Sequence, residues 1–234
     1  MQHLLLLHGA LGSKDQFQTL VHLLKDTFQV HTLNLHGHGG QPLPESSFSI
    51  ELFSEQVARY IQDMNIEKVN VFGYSMGGYI AMYLAKQMPD KFNKIVTLAT
   101  KFYWDEKTAS KEVKLLDGKI IGEKFPAFAA QLQHRHAPTN WLTILDKTTE
   151  LLINLGKNNT LQLEDYTSIT TPCLVLLGDR DKMVTLDETI AVYNSLPNSQ
   201  LGVIPSTYHA LEQVNMRILS QLISEFINKE PEAK

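Results

Sequence analysis

Short, almost uninterrupted apolar runs recur along this chain between stretches with helical spacing, and that rhythm restricts the fold more than any other feature. The runs are His3–Leu7, Val30–Leu35, Val69–Gly73, Ile95–Ala99, Leu174–Gly178 and Leu201–Ile204. A strand with one wet face alternates apolar and polar residues. A strand covered on both faces reads as continuous apolar sequence, as most of these do. The helix-like stretches are Asp15–Lys25, Ile50–Met64, Ser75–Gln87, Leu186–Leu196 and Leu211–Asn228. In the last of them Leu211, Val214, Ile218, Leu222 and Phe226 share one helical face. Strands and helices alternating in this way predict an α/β fold, a mostly parallel sheet of about six strands flanked by helices.

The rhythm breaks once. Between Thr100 and Pro172 there is no convincing strand, only helix-like pieces at Glu106–Ile121, Pro126–His136 and Trp141–Leu155. Asn140 is placed to start the last piece and Gly156 to stop it. The segment is too long for an ordinary loop. The expected organisation is therefore a core made of residues 1–100 and 172–234, with residues 101–171 inserted as a helical cap.

Composition narrows the functional classes. The chain has 234 residues, 43% of them hydrophobic, enough for one α/β domain with a sizeable core. Its net charge of −4, with no basic stripe, argues against a nucleic-acid partner. The single cysteine, Cys173, excludes a disulfide within the chain and fits a cytoplasmic setting; in its apolar run it reads as a buried small residue. The opening MQHLLLLHG is too short an apolar run for a signal peptide or a membrane span and reads as a strand. The expected partner is a small-molecule substrate, and the expected state is a monomer or homodimer.

In a sheet of this kind ligands gather at the carboxyl ends of the strands. The residues that follow the runs are unusual for loops. His8-Gly9-Ala10-Leu11-Gly12 follows the first, His36-Gly37-His38-Gly39-Gly40 the second, and Tyr74-Ser75-Met76-Gly77-Gly78 the third. Gly178-Asp179-Arg180-Asp181 ends the fifth, and Pro205-Ser206-Thr207-Tyr208-His209 follows the sixth. A serine between a strand and a helix is an ordinary N-cap, and G-x-S-x-G is weak by itself. With an acid and a histidine at neighbouring strand ends, a second reading opens. A serine hydroxyl becomes a nucleophile when a histidine takes its proton, and a carboxylate behind the histidine fixes the tautomer. The glycines around Ser75 permit a strained turn that lifts the hydroxyl into a cleft. The amides of Ala10 and Met76 are the candidate oxyanion donors.

Jointly these elements resemble the α/β-hydrolase superfamily: His8-Gly9, Gly37-His38-Gly39, the elbow Gly73–Gly77, Gly178-x-x-Asp181, and His209 before the last helix. The resemblance covers roughly Leu4–Ile227 and places the insertion where that family carries its cap. It implies Ser75 as nucleophile, His209 as base and Asp181 as orienting acid, with no cofactor and no metal. Two departures stand out. The chain starts directly at the His-Gly strand, without the family's usual preceding hairpin, and Asn34 stands where the second loop often has Asp.

Several alternatives stay open on the sequence. Asp179 and Asp105 compete with Asp181 as the acid. His36 and His38 could suggest a metal pair, but no further ligand follows at close spacing, so a loop role is preferred. Tyr74, Trp104 and Trp141 are candidate substrate contacts, with cap packing the competing role for the tryptophans. His134-Arg135-His136 could hold a carboxylate or could be a solvated helix end. A serine at the elbow implies an acyl-enzyme and disfavours the family's epoxide hydrolases and dehalogenases, which need a carboxylate there. The expected activity is that of a carboxylesterase. A C–C bond hydrolase is an alternative. So is a lyase like the menaquinone-pathway synthases, which His8–Ser13 resembles, although Tyr79 stands where that branch typically has an arginine. A ligand receptor of the same fold with slow or incidental hydrolysis is the alternative of another class. The cap has nine basic and nine acidic residues from Lys101 to Asp165, which favours a neutral or apolar acyl group.

Overall fold

The computed structural model describes residues 1–229. Its sheet has six strands in the order β2-β1-β3-β4-β5-β6. These are β1 (Gln2–Leu7), β2 (Phe28–Thr32), β3 (Val69–Tyr74), β4 (Phe92–Leu98), β5 (Cys173–Gly178) and β6 (Ser199–Ile204), and every pairing is parallel. Parallel neighbours need crossovers, which put helices on both faces. The core helices are α1 (Gln18–Leu24), α2 (Ile50–Asp63), α3 (Met76–Gln87), α8 (Leu186–Ser195) and α9 (Met216–Asn228).

The inner strands β1, β3, β4 and β5 bury both faces over most of their length, as continuous apolar runs require, while the edge strands β2 and β6 stay partly exposed. Leu5 and Leu7 of β1 join one cluster with Phe53, Val57, Ile80 and Val192; Leu4 and Leu6 join the other with Leu20, Leu219 and Ile223. All four leucines are fully buried, each contributing about 2 kcal/mol of transfer free energy. Cys173 is also buried, and burial pushes its thiol up to about 12. Strand order reverses direction beside β1, so its carboxyl end and that of β3 face the crevice where such sheets bind ligands.

The cap comprises α4 (Glu106–Glu112), α5 (Gly118–Lys124), α6 (Pro126–His136) and α7 (Trp141–Lys157). Polar N-caps set three of the starts: Asp105 accepts from Thr108 N, Asp117 from Ile120 N and Asn140 from Leu142 N.

Four expectations need correction. The stretch expected as one helix over Glu106–Ile121 is two, because Asp117 and Gly118 restart the chain after a 3-10 turn at Val113–Leu116. Gly156 does not stop α7, which runs on to Lys157. A Cβ at Gly156 would meet Ala109 Cβ at 2.5 Å and Asp105 O at 2.9 Å, so the glycine serves the close packing of α7 on α4. The apolar run after Val30 leaves the sheet after Thr32, and Leu33 and Leu35 are buried in the loop instead. The last helix begins at Met216, capped by Asn215, after a separate 3-10 turn at Leu211–Gln213.

Candidate active site

β3 ends at Tyr74 and α3 starts at Met76, so Ser75 alone makes the turn. Its φ of 51° lies in the left-handed region, strained for a residue with a side chain. The backbone secures it: Ser75 N donates to Leu98 O at 2.9 Å and Thr100 Oγ1 donates to Ser75 O at 3.1 Å. Gly77 makes the turn possible by lying against the carbonyl of Leu7, where a Cβ would clash. The ordinary N-cap role fails at this serine, since its side chain makes no capping bond to α3.

The hydroxyl is directed elsewhere. Ser75 Oγ lies 3.4 Å from His209 Nε2, and His209 Nδ1 lies 2.8 Å from Asp181 Oδ2. The Asp181 side chain is fully buried. Burial pushes its pKa up, but the contact to His209 and the amides of Val184 and Met183 outweigh this and hold it below the ordinary value. Its second oxygen accepts from those amides at 2.9 and 2.8 Å, so the loop after β5 aims the carboxylate. The competing acids are engaged elsewhere. Asp179 accepts from Thr207 N at 3.0 Å, and Asp105 caps α4.

Tyr74, Ser75, Met76, Ala10, Trp104 and His209 all line one cavity of about 380 Å³. Met76 is the first residue of α3, where helical N–H groups have no partner within the helix. Tyr74 also has a structural role: its hydroxyl donates to His209 O at 2.9 Å. Trp141 does not line this cavity. It sits in the first turn of α7, while the cavity is reached from later turns at Thr148, Leu151, Leu152 and Leu155.

The loop at Ala10 is held from the cap. Arg135 Nη1 donates to Leu11 O at 2.8 Å, and His136 Nε2 approaches the same oxygen at 3.2 Å. The solvated-helix-end reading of His134-Arg135-His136 therefore holds only for His134, which is exposed; His136 is fully buried. His136 packs on His38, and His38 on His8. Asn34 splints the loops: its Oδ1 accepts from Lys14 N at 2.7 Å and its Nδ2 donates to Gly39 O at 2.8 Å. A carboxylate at Asn34 could not donate.

Two groups escaped the sequence reading. Glu112 and Thr148 are buried cap residues that line the cavity, and neither side chain has a hydrogen-bond partner. A glutamate in a charged segment gives no sign in sequence that it points inward.

The family model described as alpha/beta hydrolase fold matches residues 2–140. The chain belongs to this family of α/β hydrolases. Among its relatives is the putative 2-succinyl-6-hydroxy-2,4-cyclohexadiene-1-carboxylate synthase of Bacillus subtilis, 23% identical, covering 94% of this chain and 88% of that protein. A pimeloyl-[acyl-carrier protein] methyl ester esterase of Neisseria meningitidis is 25% identical, covering 95% of this chain and 92% of its own. The crystal structure of MGS-M2, an alpha/beta hydrolase enzyme from a Medee basin deep-sea metagenome library, superposes with a TM-score of 0.82 at 16% identity, covering 100% of this chain and 91% of that one. Among the described residues no helix is long and apolar enough to cross a membrane.

Proposed function

We propose that the protein is a serine hydrolase that cleaves carboxylic esters through an acyl-enzyme. The observation that carries this reading is the relay from Ser75 Oγ through His209 to buried Asp181, at the wall of a mainly apolar cavity. In the proposed cycle Ser75 Oγ attacks the ester carbonyl while His209 Nε2 takes its proton. Asp181 holds the Nδ1–H tautomer and stabilises the imidazolium. The amides of Ala10 and Met76 receive the oxyanion. His209 then protonates the leaving alcohol, and water, activated by the same imidazole, releases the acid.

The relatives include both a named esterase and a named synthase. Tyr79 favours the esterase reading. It lines the cavity where a carboxylate-binding arginine would stand in the synthase branch. Its hydroxyl donates to Asn159 Oδ1 at 2.6 Å and accepts from Leu161 N at 2.8 Å. The cationic side chains on the lining, Lys101 and Arg135, are paired with Glu188 and Glu212. This leaves them poorly placed for a polyanionic substrate.

The test is labelling of Ser75 by a fluorophosphonate, together with turnover of short p-nitrophenyl esters. Ser75→Ala should abolish labelling and lower kcat by about 10⁶ at equal folded fraction. Substantial hydrolysis by that variant would overturn the assignment. Binding of esters without turnover by the native protein would favour a receptor.

A further inference from the structure

The cap wall of the cavity carries an unmet demand. Glu112 ends α4 with its side chain only 2% exposed, and neither Oε1 nor Oε2 has a hydrogen-bond partner. Thr148, on α7, is 1% exposed, and its Oγ1 is likewise unpartnered. Both residues line the cavity that holds Ser75, among Leu116, Leu151 and Leu155. The nearest cation to Glu112 is Lys111, whose Nζ lies 3.7 Å from Oε1, beyond hydrogen-bond reach. The Lys111 side chain is 68% exposed, so its pull is weakened by solvent. Buried acceptors without donors are costly, and a folded protein seldom leaves a group so placed unless something meets it.

We propose that Glu112 and Thr148 form a recognition subsite for a hydrogen-bond donor on the substrate, a hydroxyl or an ammonium carried on an apolar chain away from the scissile carbonyl. This rests on the serine-hydrolase reading and refines its substrate class. The leucines take the chain, and the two oxygen-bearing side chains take its polar end. A volume of about 380 Å³ admits a small ligand of this kind. A site built to bond a donor discriminates against the analogue that lacks it, because its own polar groups are then left unpaired. Of the neutral or apolar acyl groups expected from cap composition, a purely apolar one leaves these oxygens unanswered.

The experiment compares methyl esters of medium-chain acids that are unsubstituted, ω-hydroxylated or ω-ammonium-bearing. kcat/KM is read for the native protein and for Glu112→Leu, Glu112→Gln, Thr148→Val and Lys111→Ala at equal folded fraction. The native protein should prefer the donor-bearing chains. Glu112→Leu should shift that preference toward the plain chain by roughly 10–100-fold, and Thr148→Val should shift it in the same direction by less. Lys111→Ala should leave it in place. Glu112→Gln separates the two donors: it keeps an acceptor for a hydroxyl and loses the charge that favours an ammonium. The inference falls if Glu112→Leu and Thr148→Val leave the ratio unchanged. It also falls if Lys111→Ala reproduces the Glu112→Leu effect, since Glu112 would then serve only its ion pair. Calorimetric binding of the same esters to Ser75→Ala protein, with and without Glu112→Leu, reads the subsite without turnover. A missing donor preference with Ser75-dependent turnover intact sinks only the subsite. Turnover that survives Ser75→Ala sinks the nucleophile assignment and leaves the binding comparison to judge the subsite.

Discussion

On the core wall of the cavity the side chains around Ser75 are bonded to one another; on the cap wall Glu112 and Thr148 are not. Ser75, His209 and Asp181 sit at the ends of three different parallel strands, and each is fixed by a backbone contact as well as by its neighbour in the relay. The cap contributes helices, α4 and α7 started by the side chains of Asp105 and Asn140, together with an apolar lining and unanswered oxygens. The difference teaches where precision is needed. The proposed proton relay would work only if its members are held in place before substrate arrives, and its wall belongs to the sheet. Recognition can leave groups open for the ligand to complete.

The sharpest way to break this comparison is to disturb the core wall without changing its shape. Asp181→Asn keeps the volume of the residue but loses the carboxylate that fixes the His209 tautomer. It should lower kcat by about 10⁴. Asp179→Asn should cost far less, because an amide oxygen can still accept from Thr207 N. Ester turnover and melting curves of both variants decide the matter. A crippled Asp179→Asn beside a near-normal Asp181→Asn would mean that the acid has been assigned to the wrong residue. If both are near normal, Asp105 becomes the candidate despite its place at the start of α4.

The seam between the walls should be the acid-sensitive part. His8 and His136 are each held down to about 4, chiefly by burial, and His38 is pushed well below its usual value for the same reason. Geometry agrees, because His8 Nε2 accepts from Leu35 N and His136 Nδ1 accepts from Gly39 N. A proton on either nitrogen would displace that bond. In the unfolded chain the His8 and His136 imidazoles take up protons near pH 6.5, while in the folded chain these two resist until about pH 4. The unfolded state therefore binds more protons in that window, and stability falls as the pH drops through it. His136→Gln keeps a donor and an acceptor but does not titrate. It should reduce the loss between pH 6.5 and 4 by ~2 kcal/mol relative to the native protein. Equal slopes for the two proteins in chemical denaturation across that window would show that His136 is not part of the acid response.

How legible each wall was in the sequence follows the same division. The inner strands announce themselves because burial on both faces leaves them few polar positions; β3 and β5 are buried at every residue, whereas the edge strands β2 and β6 carry exposed Gln29 and Gln200. The grouping of Ser75, Asp181 and His209 was legible because each falls just past an apolar run, and the structure brings the three side chains together. Boundaries were less legible. The run from Val30 kept its apolar character through Leu35 because the loop after β2 is buried too. In the cap, helical spacing carried across Asp117, and the break shows only in the 3-10 turn at Val113–Leu116 and the capping bond from Ile120 N. Gly156 looked like a stop because sequence cannot show that Ala109 needs the space beside it. Glu112 and His136 were misjudged or missed for one reason: a polar residue on a short amphipathic helix carries no mark of which way the helix faces until its neighbours are packed.

The smallest expected effect separates two residues that the sequence treated alike. Trp104 lines the cavity, with its Nε1 donating to Lys101 O at 3.2 Å and the Lys101 ammonium 5.8 Å from its ring centroid. Trp141 stands at the opposite end of α7 from the cavity-lining leucines. Trp104→Ala enlarges the apolar pocket and should move the preferred acyl chain length upward, changing relative kcat/KM across an ester panel by about tenfold. Acetyl ester turnover should change much less, because a short acyl group does not reach the vacated space. Trp141→Ala should leave the chain-length profile where it was and lower only the melting temperature, since its loss concerns packing at the start of α7. An unaltered profile in Trp104→Ala would make that residue a packing element as well and would leave chain selection to the leucines of α7. A shifted profile in Trp141→Ala would require the cap to close further over the cavity when an ester is bound.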